Sequence, residues 1–239
     1  MANHKDKTGP LLVKARPDNP KLVAVIASWV DLASAQRLRH LPDFFELRLD
    51  GFGDALAGVE EGIARLGAPL IITARHPTEG GLRNLSAAAR RILLSRFLPS
   101  AAAIDVELRS VRALRVVLEE ARAREVDCII SVHDFLRPFQ VDRARAGAEA
   151  ARALAADIFK IAVRTETRTE LDQLISFVRE EWAGLPIAAM GIGRFGRASR
   201  ITLARQGSVL TYVHLGTAQV AGQLSLNEMR RALRRAGST

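Results

Sequence analysis

Short apolar runs recur along the chain at a regular spacing. They cover residues 22–27, 44–49, 69–73, 102–106, 127–132, 157–163, 185–190 and 208–213. Each has the length of a buried strand and is too short for a helix. Between them lie segments rich in alanine, leucine and arginine with helical periodicity, such as 87–97 and 111–124. Strands alternating with helices predict βα units and a parallel sheet. Eight such units in 239 residues predict a (β/α)8 TIM barrel. A doubly wound open sheet is the architectural alternative. Its dinucleotide-binding version places Gly-x-Gly-x-x-Gly after the first strand. Here that pattern occurs only as Gly191-Ile-Gly193-Arg-Phe-Gly196, after the seventh run. Residues 1–20 carry Gly9, Pro10, Pro17 and Pro20 and read as an irregular N-terminal arm. Residues 21–239 then form a single barrel domain.

Composition narrows the function. The chain is 48% hydrophobic and 26% charged, which is ordinary for a soluble globular domain. A formal net charge of +9 raises a nucleic-acid reading. The arginines, however, are scattered along helix-like segments such as 109–115 and 230–235, and one tyrosine offers little surface for stacking bases. We therefore expect no nucleic-acid partner; an anionic small substrate needs only a local cationic pocket. Cys128, the only cysteine, excludes an internal disulfide framework and reads as a small core residue. No His/Asp/Glu cluster has specific metal-ligand spacing. No stretch is long and apolar enough to span a membrane, and the polar N-terminus lacks a signal-peptide core. A cytoplasmic location without membrane partners is expected.

The basic residues carry a sharper signal. Only five of the 35 are lysines, and after Lys21 the single lysine is Lys160. It sits in the apolar run Asp157-Ile-Phe-Lys160-Ile-Ala-Val163. A desolvated lysine can lose its proton and attack a carbonyl to form a Schiff base. A packed stem with a solvated head is the structural alternative. Barrel chemistry collects at the C-terminal ends of the strands, and those ends are polar here: Glu46 and Arg48, Arg75, Asp105, His133 and Lys160. His133 and Lys160 lie one βα unit apart, on adjacent strands of a barrel. An imine-forming lysine beside a proton-shuttling histidine suits chemistry at the carbon α to a carbonyl. Glu46 and Arg48 alternate in phase and predict a buried ion pair or a hydrogen-bonding floor. Arg75 and Arg200 are candidate anion binders, because a guanidinium matches a carboxylate bidentately. Glu79 precedes Gly80-Gly81 on a loop, and Gln223 follows Gly222.

These motifs resemble type I 3-dehydroquinate dehydratases, the Schiff-base lyases of the shikimate pathway to chorismate and aromatic amino acids. The carrying segments are Phe45-Glu46-Leu-Arg48-Leu-Asp50, Thr73-Ala-Arg75-His-Pro-Thr-Glu79-Gly-Gly81, Ser131-Val-His133-Asp134-Phe135, Asp157-Ile-Phe-Lys160-Ile-Ala162, Met190-Gly191 through Ser199-Arg200, and Gly222-Gln223-Leu224. The similarity runs from about Lys21 to Arg231. It implies a TIM barrel, often dimeric, that converts 3-dehydroquinate to 3-dehydroshikimate without metal or added cofactor. It also implies roles. Lys160 forms the imine, His133 moves the protons and Glu79 orients or assists His133. Arg200 holds the substrate carboxylate, with Arg75 and Gln223 on nearby oxygens. Glu46 and Arg48 bind hydroxyls and brace the site. Two positions depart from the family's usual pattern: Gln219 and Val25 stand where substrate-contacting serines are common. The residues alone also admit another Schiff-base barrel lyase or aldolase acting on a related keto acid, or a non-catalytic basic binding protein.

Overall fold

The computed structural model describes residues 19–53, 56–180 and 182–234. Residues 1–18, most of the predicted arm, lie outside the described residues.

Parallel strands and helices alternate as the apolar runs predict. The strands are β1 (Lys21–Ile26), β2 (Phe44–Arg48), β3 (Leu70–Thr73), β4 (Ala103–Glu107), β5 (Asp127–Pro138), β6 (Ile158–Arg164), β7 (Ile187–Ile192) and β8 (Leu210–His214). The helices are α1 (Trp29–Gln36), α2 (Leu56–Ile63), α3 (Ala87–Phe97), α4 (Arg115–Ala123), α5 (Val141–Ala153), α6 (Arg168–Arg179), α7 (Gly196–Gln206) and α8 (Leu226–Arg234). The helical segment expected over 111–124 becomes regular only at Arg115, because Leu108–Ser110 forms a 3₁₀ turn first. The strands pair in the order β7-β6-β5-β4-β3-β2-β1-β8. Between β7 and β8 the barrel closes through the Val209 N–H donating to the Ile187 carbonyl at 2.9 Å. The buried Ser208 hydroxyl accepts from the Ala189 N–H at 3.0 Å beside it. The fold is thus a (β/α)8 TIM barrel, not an open sheet.

Strand alternation sorts side chains into two apolar layers. Residues such as Leu47, Ile72, Ile104, Ile130 and Phe159 point outward and pack under the helices. Val23, Phe44, Ile71, Ile129, Ile158 and Leu210 point inward and plug the bottom of the barrel. One step up each strand, the interior splits. Glu46, Thr73, Asp105, Ser131 and Lys160 on β2 to β6 are polar and buried, whereas Met190, Tyr212 and Val25 on β7, β8 and β1 are mostly apolar. The barrel mouth therefore has a charged half and an apolar half.

Arg90 clamps the top of the charged half. It lies in the first turns of α3, whose N-cap Ser86 accepts from the Ala89 N–H. Its guanidinium is buried and donates to the Ala74 carbonyl at 2.6 Å, to the Ser110 hydroxyl at 3.0 Å and to the Glu107 carboxylate. It ties the ends of β3 and β4 to the helix between them. Removing one member of such a buried pair leaves a charge uncompensated. Arg90→Met should destabilise the protein by about 3 kcal/mol in urea unfolding. A loss below about 1 kcal/mol would show that the clamp does not hold the barrel top.

Among the described residues, no helix is long and apolar enough to cross a membrane.

Candidate active site

The barrel mouth holds a cavity of about 250 Å³, a size that fits a single small ring. Every site residue chosen from the sequence lines it: Glu46, Arg48, Arg75, Glu79, His133, Lys160, Arg200 and Gln223. Val25 and Gln219 line it as well.

Lys160 sits in the middle of β6 and is 3% exposed. Its surroundings differ from the apolar run that carries it in sequence. Nζ lies 2.8 Å from Asp105 Oδ2 and 3.2 Å from Glu46 Oε1, and sits 3.8 Å from the centre of the Tyr212 ring. A cation at this atom is therefore met by two carboxylates and an aromatic face. The same contacts suit a protonated imine, which keeps the positive charge at that nitrogen.

Asp105 and Arg75 organise the charged half. Arg75 Nη1 donates to Asp105 Oδ1 at 2.9 Å, to Glu107 Oε1 at 3.1 Å and to Ser131 Oγ at 2.8 Å. Arg75 Nη2 donates to Asp105 Oδ2 at 2.8 Å and lies 3.5 Å from Glu46 Oε1. Burial opposes the charge on Arg75, but Asp105, Glu107 and Glu46 outweigh it and hold its pKa well above the usual value. Burial likewise pushes the Asp105 carboxyl up, and Arg75 and Lys160 more than reverse it, so Asp105 stays ionised. Asp105, Glu107, Ser131 and Tyr212 carry this network or abut it and were not among the chosen residues. Asp105 and Glu107 were legible as in-phase polar positions at a strand end; Ser131 and Tyr212 carried no such signal.

Glu46 and Arg48 do not pair with each other. Arg48 Nε and Nη2 grip Asp50 at 3.0 and 2.7 Å, and Nη2 also donates to the Gly80 carbonyl at 2.8 Å. The Leu49–Gly51 3₁₀ turn brings Asp50 back under Arg48. Gly51 makes this turn possible, since a Cβ there would lie 2.0 Å from the Ala27 carbonyl oxygen. Glu46 instead faces Lys160, Arg75 and the Thr73 hydroxyl, which donates to it at 2.9 Å.

His133 and Glu79 form a second unit. Glu79 Oε2 accepts from the His133 backbone N–H at 2.9 Å and lies 3.1 Å from Nδ1. Arg75 Nη1 also approaches Nδ1, but at 3.5 Å, a distance too long to compete. Nδ1 therefore serves Glu79, and Nε2 is the nitrogen left open to another partner. Burial, with the Arg75 and Lys160 charges, holds the His133 pKa well below its usual value, so the ring is neutral at physiological pH. Burial pushes the Glu79 carboxyl up to about 7. Its loop is a Pro77–Glu79 3₁₀ turn, stopped by Gly80 at φ +87°.

Arg200 is the buried cation that no carboxylate reaches in any ion pair of the described residues. It is 3% exposed, and Nη1 donates only to the Tyr212 carbonyl at 3.2 Å, while Nε has no partner. Burial lowers its pKa to about 10, which still leaves it charged at neutral pH. An uncompensated buried guanidinium facing a cavity is an anion site. Packing aims it there. A Cβ on Gly191 would lie 2.6 Å from Ser199 Oγ, so that glycine lets α7 approach β7, and the Gly191 N–H donates to the same hydroxyl at 3.0 Å. The Gly-x-Gly-x-x-Gly match is thus a helix-packing device. Gln223 is oriented by the Gln219 N–H, which donates to its Oε1 at 2.8 Å and leaves Nε2 to donate. The apolar half of the cavity is walled by Val25, Ala162, Met190 and Ile192. Cys128 is buried between the barrel and its helices, its thiol pushed up to about 11 by burial, as suits a core residue. Among the described residues, no group of three or more histidine, cysteine, aspartate or glutamate side chains is placed to hold a metal ion.

Comparison with known proteins agrees with this geometry. The family model of type I 3-dehydroquinase matches residues 26–239. The chain is 30% identical to the 3-dehydroquinate dehydratase of Methanosarcina barkeri over 231 residues, covering 90% of this chain and 96% of that protein. It is 30% identical to the 3-dehydroquinate dehydratase of Enterococcus faecalis, covering 93% and 94%. In structure it resembles the type I 3-dehydroquinate dehydratase of Clostridium difficile, solved with covalently modified comenic acid. That match has a TM-score of 0.82 at 26% identity, covering 91% of this chain and 92% of that one. With a matched family model spanning nearly the whole barrel, and relatives covered almost end to end, this chain belongs to the type I 3-dehydroquinase family.

Proposed function

We propose that this chain is a 3-dehydroquinate dehydratase, a carbon–oxygen hydro-lyase that converts 3-dehydroquinate to 3-dehydroshikimate through an imine on Lys160. The observation that carries this reading is one small cavity that holds both a buried amine and an unpaired buried guanidinium, with a neutral histidine on the adjoining strand. Arg200 takes the substrate carboxylate. That contact presents the ring's ketone to Lys160, with Gln223 Nε2 donating to a ring oxygen and Arg48 and Glu46 near the hydroxyls. Arg75 acts through the carboxylates it holds, since Asp105, Glu107 and Ser131 occupy its terminal nitrogens.

The chemistry follows from these placements. The Lys160 ammonium gives up a proton to His133, and the amine adds to the ketone carbon. His133 returns that proton to the carbinolamine oxygen, which leaves as water, and a protonated imine faces Asp105 and Glu46. The iminium acidifies the α-carbon, and His133 Nε2 takes the α-proton while Glu79 accepts the Nδ1–H bond. The resulting enamine expels the β-hydroxyl, which leaves as water with the proton from His133. Water then hydrolyses the imine and frees the amine. The imine is itself the electron sink, so the route requires no metal or added cofactor. A homodimer in the cytoplasm fits the same reading. Ile92 on α3 and Val116 on the adjoining α4 are 65% and 55% exposed and offer apolar surface to a second copy.

Borohydride reduction in the presence of 3-dehydroquinate should attach the substrate skeleton to Lys160, read by peptide mass mapping. Lys160→Met should be folded, unlabelled and inactive; undiminished turnover in that variant would sink the reading. Arg200→Met should raise KM about a hundredfold, the loss expected from charge-assisted bonds to a carboxylate. An unchanged KM would place the carboxylate elsewhere. Activity should also depend on pH through Glu79. Its raised pKa means the carboxylate that supports His133 is present above about 7 and is lost as pH falls below it. His133, held well below its usual value, stays neutral across this window. The acid limb of kcat should therefore lie near 7 and disappear in Glu79→Gln; a limb that persists there would assign it to another group.

A further inference from the structure

We propose that Arg109, which lies outside the cavity lining, is a positioning residue for the reaction: it holds Glu79 as a carboxylate turned toward His133. The inference rests on the function proposed above and adds a residue and a control of pH dependence to it. Arg109 lies in the Leu108–Ser110 3₁₀ turn that follows β4, next along the barrel from the loop carrying Glu79. Its Nε lies 3.7 Å from Glu79 Oε1, and its Nη1 donates to the Thr78 hydroxyl. The two oxygens of Glu79 are thus divided. Oε2 serves His133 inside the site, and Oε1 faces Arg109 at its edge.

Charged and titratable groups meet Glu79 from its own loop and from the neighbouring strands and turns. Its own loop supplies His76, whose Nδ1 is occupied by Thr78. His133 faces it from β5. Glu107 on β4 opposes its ionisation, whereas Arg75 and Arg109 favour it. Arg48 of β2 meets the loop at the Gly80 carbonyl and is paired with Asp50. Arg75 is shared among Asp105, Glu107 and Glu46. Arg109 differs in that its one ion pair among the described residues is with Glu79. Glu79 titrates near neutrality, so a modest change in field at Oε1 changes the working fraction of carboxylate. The Arg109 side chain is 52% exposed, so salt screens this contribution more than it screens the buried Arg75 cluster.

The test compares the parent with Arg109→Met, Arg109→Lys and the remote charge control Arg124→Met. Two quantities are read from each: the pH profile of kcat on 3-dehydroquinate, and the titration of the Glu79 carboxyl by 13C NMR. The Glu79 signal is identified as the one absent from Glu79→Gln. In Arg109→Met the acid limb and the titration should both move up by about 0.5 in pH, a shift of the size expected for a half-exposed ion pair. Turnover should then fall about threefold on the acid side and less at high pH. Arg109→Lys should restore part of the shift, and added salt should shrink the gap between parent and Arg109→Met. An unmoved titration, a loss equal at all pH values, or the same shift in Arg124→Met overturns the proposal. The NMR titration needs no turnover, so a chain that failed to process 3-dehydroquinate would defeat the function above and still decide the role of Arg109.

Discussion

The bidentate grip of Arg75 on Asp105 is the constraint on which the site depends. A guanidinium and several carboxylates buried together are costly unless each charge is met and each donor used. Here Arg75 meets Asp105, Glu107 and, at longer range, Glu46, while Asp105 and Glu46 in turn meet Lys160. Lys160 is thereby fixed in the buried barrel mouth between two carboxylates. Arg90 closes the outer side of the same cluster by holding Glu107 from α3. The Lys160 amine is thus supported by groups on strands β2, β3, β4 and β5 and on a helix.

Among the described residues, compensation is incomplete at one buried cation. Arg200 is buried without a carboxylate, and its Nε and the nearby Tyr212 hydroxyl have no partner. An anion that entered the cavity would relieve this unfavourable solvation. The charged half of the mouth holds Lys160 and His133, and the half walled by Val25, Met190 and Ile192 is apolar. Glu79 lies at the rim between burial and solvent, which puts its titration near neutrality and lets its exposed edge be reached by Arg109.

The architecture was readable because a barrel repeats one simple pattern. Each apolar run became a strand, and the polar residues near the run ends, from Glu46 to Lys160, came to one mouth. Lys160 and His133 stood out because their chemistry is rare in a buried strand. Partner choice was not readable. Glu46 and Arg48 share a face by alternation, yet Arg48 turns to Asp50 because a 3₁₀ turn governed by Gly51 brings that carboxylate within reach. The apolar flanks of Lys160 suggested an apolar environment, because sequence neighbours on a strand point to the opposite face.

By itself, the sequence determined the βα rhythm, the inward phase of each strand and the identity of the groups that reach the mouth, since period and residue type are local properties. Only the tertiary structure decided which charges meet. Lys160 pairs with carboxylates on β2 and β4, and Glu79 meets His133 from another loop, across separations that no local pattern encodes. Arg109 and Arg200 are chemically alike in an arginine-rich chain. Closure of the barrel left one at the rim beside a carboxylate and the other buried without one, a difference set by place and not by residue type.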